Sequence, residues 1–405
     1  MTTQDLLLKN VFVPKGIPGF SAASYAGVKD LHIKDGCIRA WGENLAVPGA
    51  DQHDCTGMLV LPGLVDGHVH LDKTLWGEKW TPSRLPAMPT LSDLIQNERA
   101  MRAETKHDPR VCAPRLLEQM TRMGTVALRS HIDIDPTTRL DGVAALLEVR
   151  NDFRDRMHIE LVAFPQSGIL QAFKEGTDVE KLLDEALAMG VDAIGGLDPA
   201  AFDRDAVKHL DIVFGLAAKH GAKVDIHLHE PGSLGAFSIK EIAKRTGEYG
   251  LQGKVTLSHA FALGHALGEA FDELLDLLDE NRISVVTNVP GGTEFAPHVS
   301  LLDRGVNYAL GSDNIRDCWL SLGNGDMLDR VRMLALRRKL RHDSTIERAF
   351  GMATFEGAHL LGLEKYGLTP GCRADLVLVK ASCIAEAVAN CPTDRRVVKN
   401  GKFLN

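Results

Sequence analysis

The sequence predicts an α/β chain folded as a (β/α)8 barrel, with a small β-sandwich formed by both chain ends. Three observations lead there. Eight short apolar or β-branched runs alternate with longer stretches of helical period between residues 61 and 314. The stretches on either side read as short strands separated by glycine turns. A length of 405 residues, 44% of them apolar, can fill one large barrel and a smaller companion.

The eight runs are LPGLVDGHVHL (61–71), TVALRSHIDI (125–134), HIELVAFPQ (158–166), DAIGGLD (192–198), KVDIHLHE (223–230), KVTLSHA (254–260), ISVVTNV (283–289) and VNYALGSDN (306–314). Eight βα units close into a barrel, and in that architecture chemistry sits where the strands end. The intervening helices are equally legible: Val179, Leu182, Leu183, Ala186 and Leu187 form one apolar stripe, and Gly190 follows as a stop. Before the barrel lie LLLKNVFV, DLHIKDGCIRAWG and DCTGMLVLPG; after it, residues 366–405 look alike. Neither end has enough strands to bury a core alone, so the two are expected to pair. The expected boundaries are 1–57 and 366–405 for the two parts of the sandwich and 58–365 for the barrel.

Composition excludes several classes of function. Lys plus Arg number 46 against 54 Asp plus Glu, a net charge of −8, which gives nucleic acid no basic footprint. No apolar run approaches the ~20 residues that span a bilayer. Asp5 and Lys9 interrupt the first apolar stretch, so no secretory leader is expected and the cytoplasm is the expected location. Seven scattered cysteines without a C-x-x-C pair argue against a disulfide frame or a thiolate zinc site.

The polar residues at the strand ends carry the chemistry. His68 and His70 lie two apart on the first barrel strand and therefore share a face. His227 ends the fifth strand, His259 the sixth and Asp313 the eighth, so all converge on one rim. Three imidazoles and a carboxylate suit one divalent ion, zinc or iron, with a position left for water. The fourth strand has no lysine that could bridge a second ion. Glu230, three residues past His227, is expected to shuttle a proton. His229 shares a face with His227 and is the alternative ligand; the offset to Glu230 favours His227.

LPGLVDGHVHLDK, the strand-five His followed by Glu, the strand-six SHA and the strand-eight GSDN together resemble the amidohydrolase superfamily, in its cytosine deaminase-like branch. VAFPQSGIL, LDEALAMGVDAIGG and DNIRDCWLSLGNGDML extend the resemblance nearly end to end. It implies a distorted TIM barrel with a β-sandwich from the chain ends, a homo-oligomer, and a small nitrogen heterocycle as substrate. It further implies that His68, His70, His227 and Asp313 bind the metal, that Glu230 protonates the ring, and that His259 deprotonates water with Asp313. Gln166 would meet the amide edge of the ring and Trp319 would wall its pocket, with Asn314 facing the substrate. His131 reads as structural and Lys73 as solvated.

Departures from the branch bear on the substrate. Cytosine deaminases carry Cys-Asp-Glu after the strand-five His, whereas this chain has Leu228, His229 and Glu230, then Pro231 and Gly232. They place a second Asp after the metal Asp, and here Asn314 stands there. LDPAAFD replaces an aromatic loop on strand four. The expected activity is hydrolytic deamination of an aminated heterocycle, a cytosine-like pyrimidine or an aminotriazine such as N-isopropylammelide. The alternatives are a cyclic amidase that opens a ureide and a non-catalytic binding protein on the same fold.

Overall fold

The computed structural model describes residues 5–14, 27–105 and 107–404; the first four residues, part of the stretch read above for a leader, lie outside them. Five strands come first: β1 (Leu6–Val13), β2 (Gly27–Lys34), β3 (Cys37–Gly42), β4 (Asp51–Asp54) and β5 (Leu59–Pro62). The barrel follows as β6 (Leu64–Val69), β7 (Thr125–Asp133), β8 (His158–Phe164), β9 (Ala193–Leu197), β10 (Lys223–His227), β11 (Val255–Ser258), β12 (Ser284–Thr287) and β13 (Tyr308–Leu310). Three strands come last, β14 (Leu376–Val379), β15 (Arg395–Lys399) and β16 (Lys402–Phe403).

Each of the eight expected runs contains one barrel strand, and β6 to β13 pair in chain order as one parallel sheet. Every residue of β6, β7, β9, β11, β12 and β13 is buried, because helices cover the outside and side chains fill the inside. The stripe at Val179, Leu182, Leu183, Ala186 and Leu187 is buried on the helix Val179–Ala188. Asp178 caps that helix by accepting the Lys181 N–H.

The ring closes between β6 and β13. A parallel bridge joins Val69 to Asp313, the Asp313 N–H donates to the His68 carbonyl at 2.7 Å, and the His70 N–H donates to the Asp313 carbonyl at 3.3 Å. Glycine makes this approach feasible. A Cβ on Gly311 would stand 2.6 Å from the His68 Cβ and 2.8 Å from the His68 carbonyl oxygen, and one on Gly67 would stand 3.0 Å from the Leu310 carbonyl oxygen.

Below the mouth, the interior holds charge where apolar side chains are usual. Arg129, only 1% exposed, donates from Nε to Glu160 at 2.6 Å and from Nη1 to Asp225 at 2.7 Å and Thr256 at 2.9 Å. These bonds tie β7, β8, β10 and β11 together from inside.

The chain ends build a separate sheet, ordered β16-β15-β14-β5-β1-β2-β3, with β4 also on β1. The pairing of β5 with both β1 and β14 joins the two ends of the chain. A buried bidentate ion pair from Arg395 to Asp326, at 2.8 and 2.6 Å, fastens this sheet to the barrel side. Among the described residues, no helix is long and apolar enough to cross a membrane.

Replacing Gly311 with Ala forces β13 away from β6, at an overpacking cost of about 1–3 kcal/mol. The urea midpoint is expected to fall, and bound metal measured by mass spectrometry is expected to fall with it, because the same seam holds His68, His70 and Asp313 together.

Candidate active site

Strand alternation and barrel closure place the expected residues on one rim. One ligand atom each from His68, His70 and His227 lies within 4.8 Å of the others, and the same holds for His68, His259 and Asp313. Oδ1 of Asp313 is 3.5 Å from His68 Nε2 and 3.4 Å from His70 Nε2. Nε2 of His68, both ring nitrogens of His227 and Nδ1 of His259 are buried without a hydrogen-bond partner. Buried imidazole nitrogens rarely stay unpaired, and lone pairs converging beside a carboxylate are what a divalent ion requires. The donor set therefore fits a metal.

Electrostatics keep these groups in ligand form. Burial and the adjoining imidazoles of His131 and His68 hold His227 well below the usual histidine range, and burial beside His229 does the same to His259. Burial and Lys73 push His70 down to about 4. Burial alone would raise the Asp313 carboxyl, but the His68 and His70 imidazoles close beside it outweigh burial and hold the group well below the carboxylate range.

Hydrogen bonds orient the candidate ligands from behind. Ser258 Oγ donates to Asp225 at 2.7 Å, so its oxygen accepts from His68 Nδ1 at 2.8 Å and turns Nε2 toward the site. Asn288 Nδ2 donates to Asp313 Oδ2 at 2.5 Å. Asp66 accepts from the Ser312 and His68 amides, and Arg330 donates to the Asn288 and Ser312 carbonyls at 2.8 Å each. At four strand ends a residue other than glycine takes a positive φ: Asp198 (36°), His259 (71°), Val289 (55°) and Asp313 (61°). Such backbone strain gathers at functional sites.

Above the histidines lies a cavity of about 290 Å³. Gln166, Trp319 and Asn314 line it, as do Lys73, His229 and Asn288. Phe164 stacks on His227 with ring centroids 3.9 Å apart.

Two expectations change. Glu230 does not reach the cavity: its carboxylate accepts the Ala200 and Ala201 amides at 2.8 and 2.7 Å and the Ser238 hydroxyl. The two-residue alternation continues past the end of β10, carrying Glu230 to the side of Leu228 and leaving His229 on the side of His227. Nδ1 of His229 bonds Asp198 at 2.9 Å, and that carboxylate outweighs burial to raise the pKa of His229. Lys73, in turn, is not solvated. It is 3% exposed and pairs with Asp133 at 2.9 Å and Glu98 at 3.3 Å.

His131, fully buried, packs its ring 4.0 Å from His68 and 4.6 Å from His227. Glu98 and Asp198 were missed by the sequence reading. The only signals were a carboxylate four residues before Arg102 on one helix and an acid directly after the GGL of strand four.

Three comparisons bear on the chain. The pattern of the family described as "Amidohydrolase family" matches residues 52–404. N-isopropylammelide isopropyl amidohydrolase of Pseudomonas sp. is 33% identical over 360 residues, 87% of this chain and 88% of that protein. The structure of N-isopropylammelide isopropylaminohydrolase from Burkholderia multivorans superposes with a TM-score of 0.92 at 38% identity, covering 99% of this chain and 98% of the other. That of 5-methylcytosine deaminase from Klebsiella pneumoniae gives 0.82 at 24% identity, covering 99% and 97%, and shows the fold alone.

Asp317 offers a test of the electrostatics. Burial pushes its carboxyl up to about 7, while the unfolded chain titrates near ~4. Between those values the folded state holds more protons, so stability falls as pH rises through the window. In Asp317→Asn this contribution is gone. Urea unfolding from pH 4 to 7 is expected to show the parent losing stability relative to the variant, whereas parallel curves would reject the assignment.

Proposed function

The chain belongs to the amidohydrolase family, and we propose that it is a metal-dependent hydrolase that releases an amine or ammonia from an aminated nitrogen heterocycle, with an aminotriazine bearing a ring carbonyl as the favoured substrate. The observation that carries this reading is the set of unpaired imidazole nitrogens and one carboxylate at the floor of a cavity sized for a single ring. The relatives named for N-isopropylammelide favour a triazine. Asn314, where cytosine deaminases are expected to carry a second acid, favours it too.

His68, His70, His227 and Asp313 would hold one divalent ion, zinc or iron; β9, with the sequence AIGGL, has no lysine to bridge a second. Such an ion supplies Lewis acidity and brings the ionisation of water near neutral pH. The chain's own groups do the rest. His259 and Asp313 orient the attacking water and accept its proton. The water oxygen bonds to the ring carbon that carries the amine, and His229, held by Asp198, delivers a proton to the ring nitrogen. When the carbon–nitrogen bond breaks, the departing amine takes the proton held by His259 and Asp313, and the hydroxyl on the carbon releases its own proton to restore His229, which leaves the carbon as a carbonyl. Gln166 meets the amide edge of the ring, and Trp319 and Phe164 enclose its faces. Glu230 positions the backbone at Ala200 and Ala201.

Incubation with N-isopropylammelide, ammelide and cytosine is expected to release isopropylamine or ammonia from a triazine in preference to the pyrimidine. Ring opening without release of amine by any of them would defeat this reading. His227→Ala and Asp313→Ala are expected to lose most of the bound metal by elemental analysis while remaining folded by circular dichroism. His229→Gln is expected to keep its metal and lose about 10²–10⁴-fold in kcat, the range of a general acid. Glu230→Gln, which still accepts the Ala200 and Ala201 amides, is expected to lose far less.

A further inference from the structure

Asp317 takes no part in the reaction proposed above, yet it controls a side chain that lines the cavity. It lies with Asn314 in the loop between β13 and the helix Met327–Arg337, and the two are 4% and 9% exposed. Asp317 Oδ1 accepts the Trp319 and Leu320 backbone N–H groups at 2.9 and 2.8 Å, which occupies that oxygen and closes the turn. Its Oδ2 accepts from Asn314 Nδ2 at 2.7 Å.

The direction of the Asn314 amide follows from that one bond. An ionised carboxylate only accepts, so the amide nitrogen must face Asp317 and the amide oxygen must point away from it. Among the described residues no group donates to Asn314 Oδ1, and that oxygen keeps exposed surface. Asn314 lines the cavity, so the surface it keeps is the cavity's. The wall therefore presents an acceptor at this point. Asn314 directly follows Asp313, at the floor where the ring carbon is attacked, so the part of the ring nearest that acceptor is the amine about to leave. An exocyclic N–H suits it. The carbonyl that takes the amine's place in the product sets oxygen against oxygen.

We propose that Asp317 is a positioning residue that sets specificity at the leaving group: by holding the Asn314 amide nitrogen it turns the amide oxygen to the cavity, where that oxygen accepts an N–H of the departing amine and disfavours the carbonyl of the product. A neutral amide does this without a second negative charge beside Asp313. This inference rests on the aminohydrolase reading above.

Asp317→Asn reverses the arrangement at constant size. Its oxygen still serves the two backbone N–H groups, and its NH2 faces Asn314, whose amide must turn over and show nitrogen to the cavity. Burial pushes the Asp317 carboxyl up to about 7 against the pull of Lys73, so the metal-loaded proteins are compared above that pH, where the parent carboxyl is ionised. The variant is expected to keep its metal and to lose about tenfold in kcat/KM for N-isopropylammelide, the effect of one hydrogen bond. It is expected to bind cyanuric acid, the triazine left when isopropylamine departs, about threefold more tightly as a competitive inhibitor. Adding Asn314→Asp, whose carboxylate accepts from that NH2 and again shows an oxygen to the cavity, is expected to restore kcat/KM to within about threefold of the parent. Asn314→Leu is expected to lose the same tenfold, and Asp317→Asn to add little to it. Weaker binding of both triazines, the mark of a merely structural turn, overturns the inference, as does loss of metal, an unchanged kcat/KM or a double variant that stays impaired. Failure of the parent to release amine from any ring instead sinks the functional reading, and this inference with it.

Discussion

The first barrel strand must meet the last, and where they meet the backbone of Asp313 bonds the backbones of His68 and His70. Closing the barrel and assembling the proposed metal-ligating set are therefore one event. The two glycines at the seam, Gly67 and Gly311, let the backbones come close enough for Asp313 to reach both imidazoles from the neighbouring strand. The left-handed conformation of Asp313, and of His259 and Val289 on nearby strand ends, costs about 1–2 kcal/mol per residue. The buried strands beneath offset that cost and hold the rim in a conformation it would not keep alone.

Orientation comes from underneath, through groups that never meet a substrate. Arg129 holds Asp225, Asp225 accepts a hydrogen bond from the Ser258 hydroxyl, and Ser258 in turn accepts from His68. A buried arginine is a poor source of stability in itself. Here it sits at the end of a chain of hydrogen bonds that decides which nitrogen of His68 faces Asp313, the kind of supporting shell on which metal sites depend.

The barrel and its rim were legible because they obey simple periods. A period of two put His68 and His70 on one face, a period of 3.6 marked the stripe from Val179 to Leu187, and the strand-end rule gathered His227, His259 and Asp313. The same period of two, carried one step past β10, would have turned His229 inward and Glu230 away. A sequence motif prevailed over geometry at that step. Lys73 and Glu98 were illegible for another reason. Nothing local marks a lysine as buried when its two carboxylate partners come from a later helix and from the end of another strand. Side chains that meet only through tertiary folding leave no periodic trace.

The sheet built from both chain ends has a bearing on biosynthesis. β5 lies immediately before the first barrel strand, yet one of its partners, β14, lies more than 300 residues further on, and the Trp41 indole donates to the Leu368 carbonyl across 327 positions. Contacts of such high order form late. Until β14 has been synthesised, β5 presents an unpaired edge in the nascent chain, and an unpaired edge is a template for aggregation.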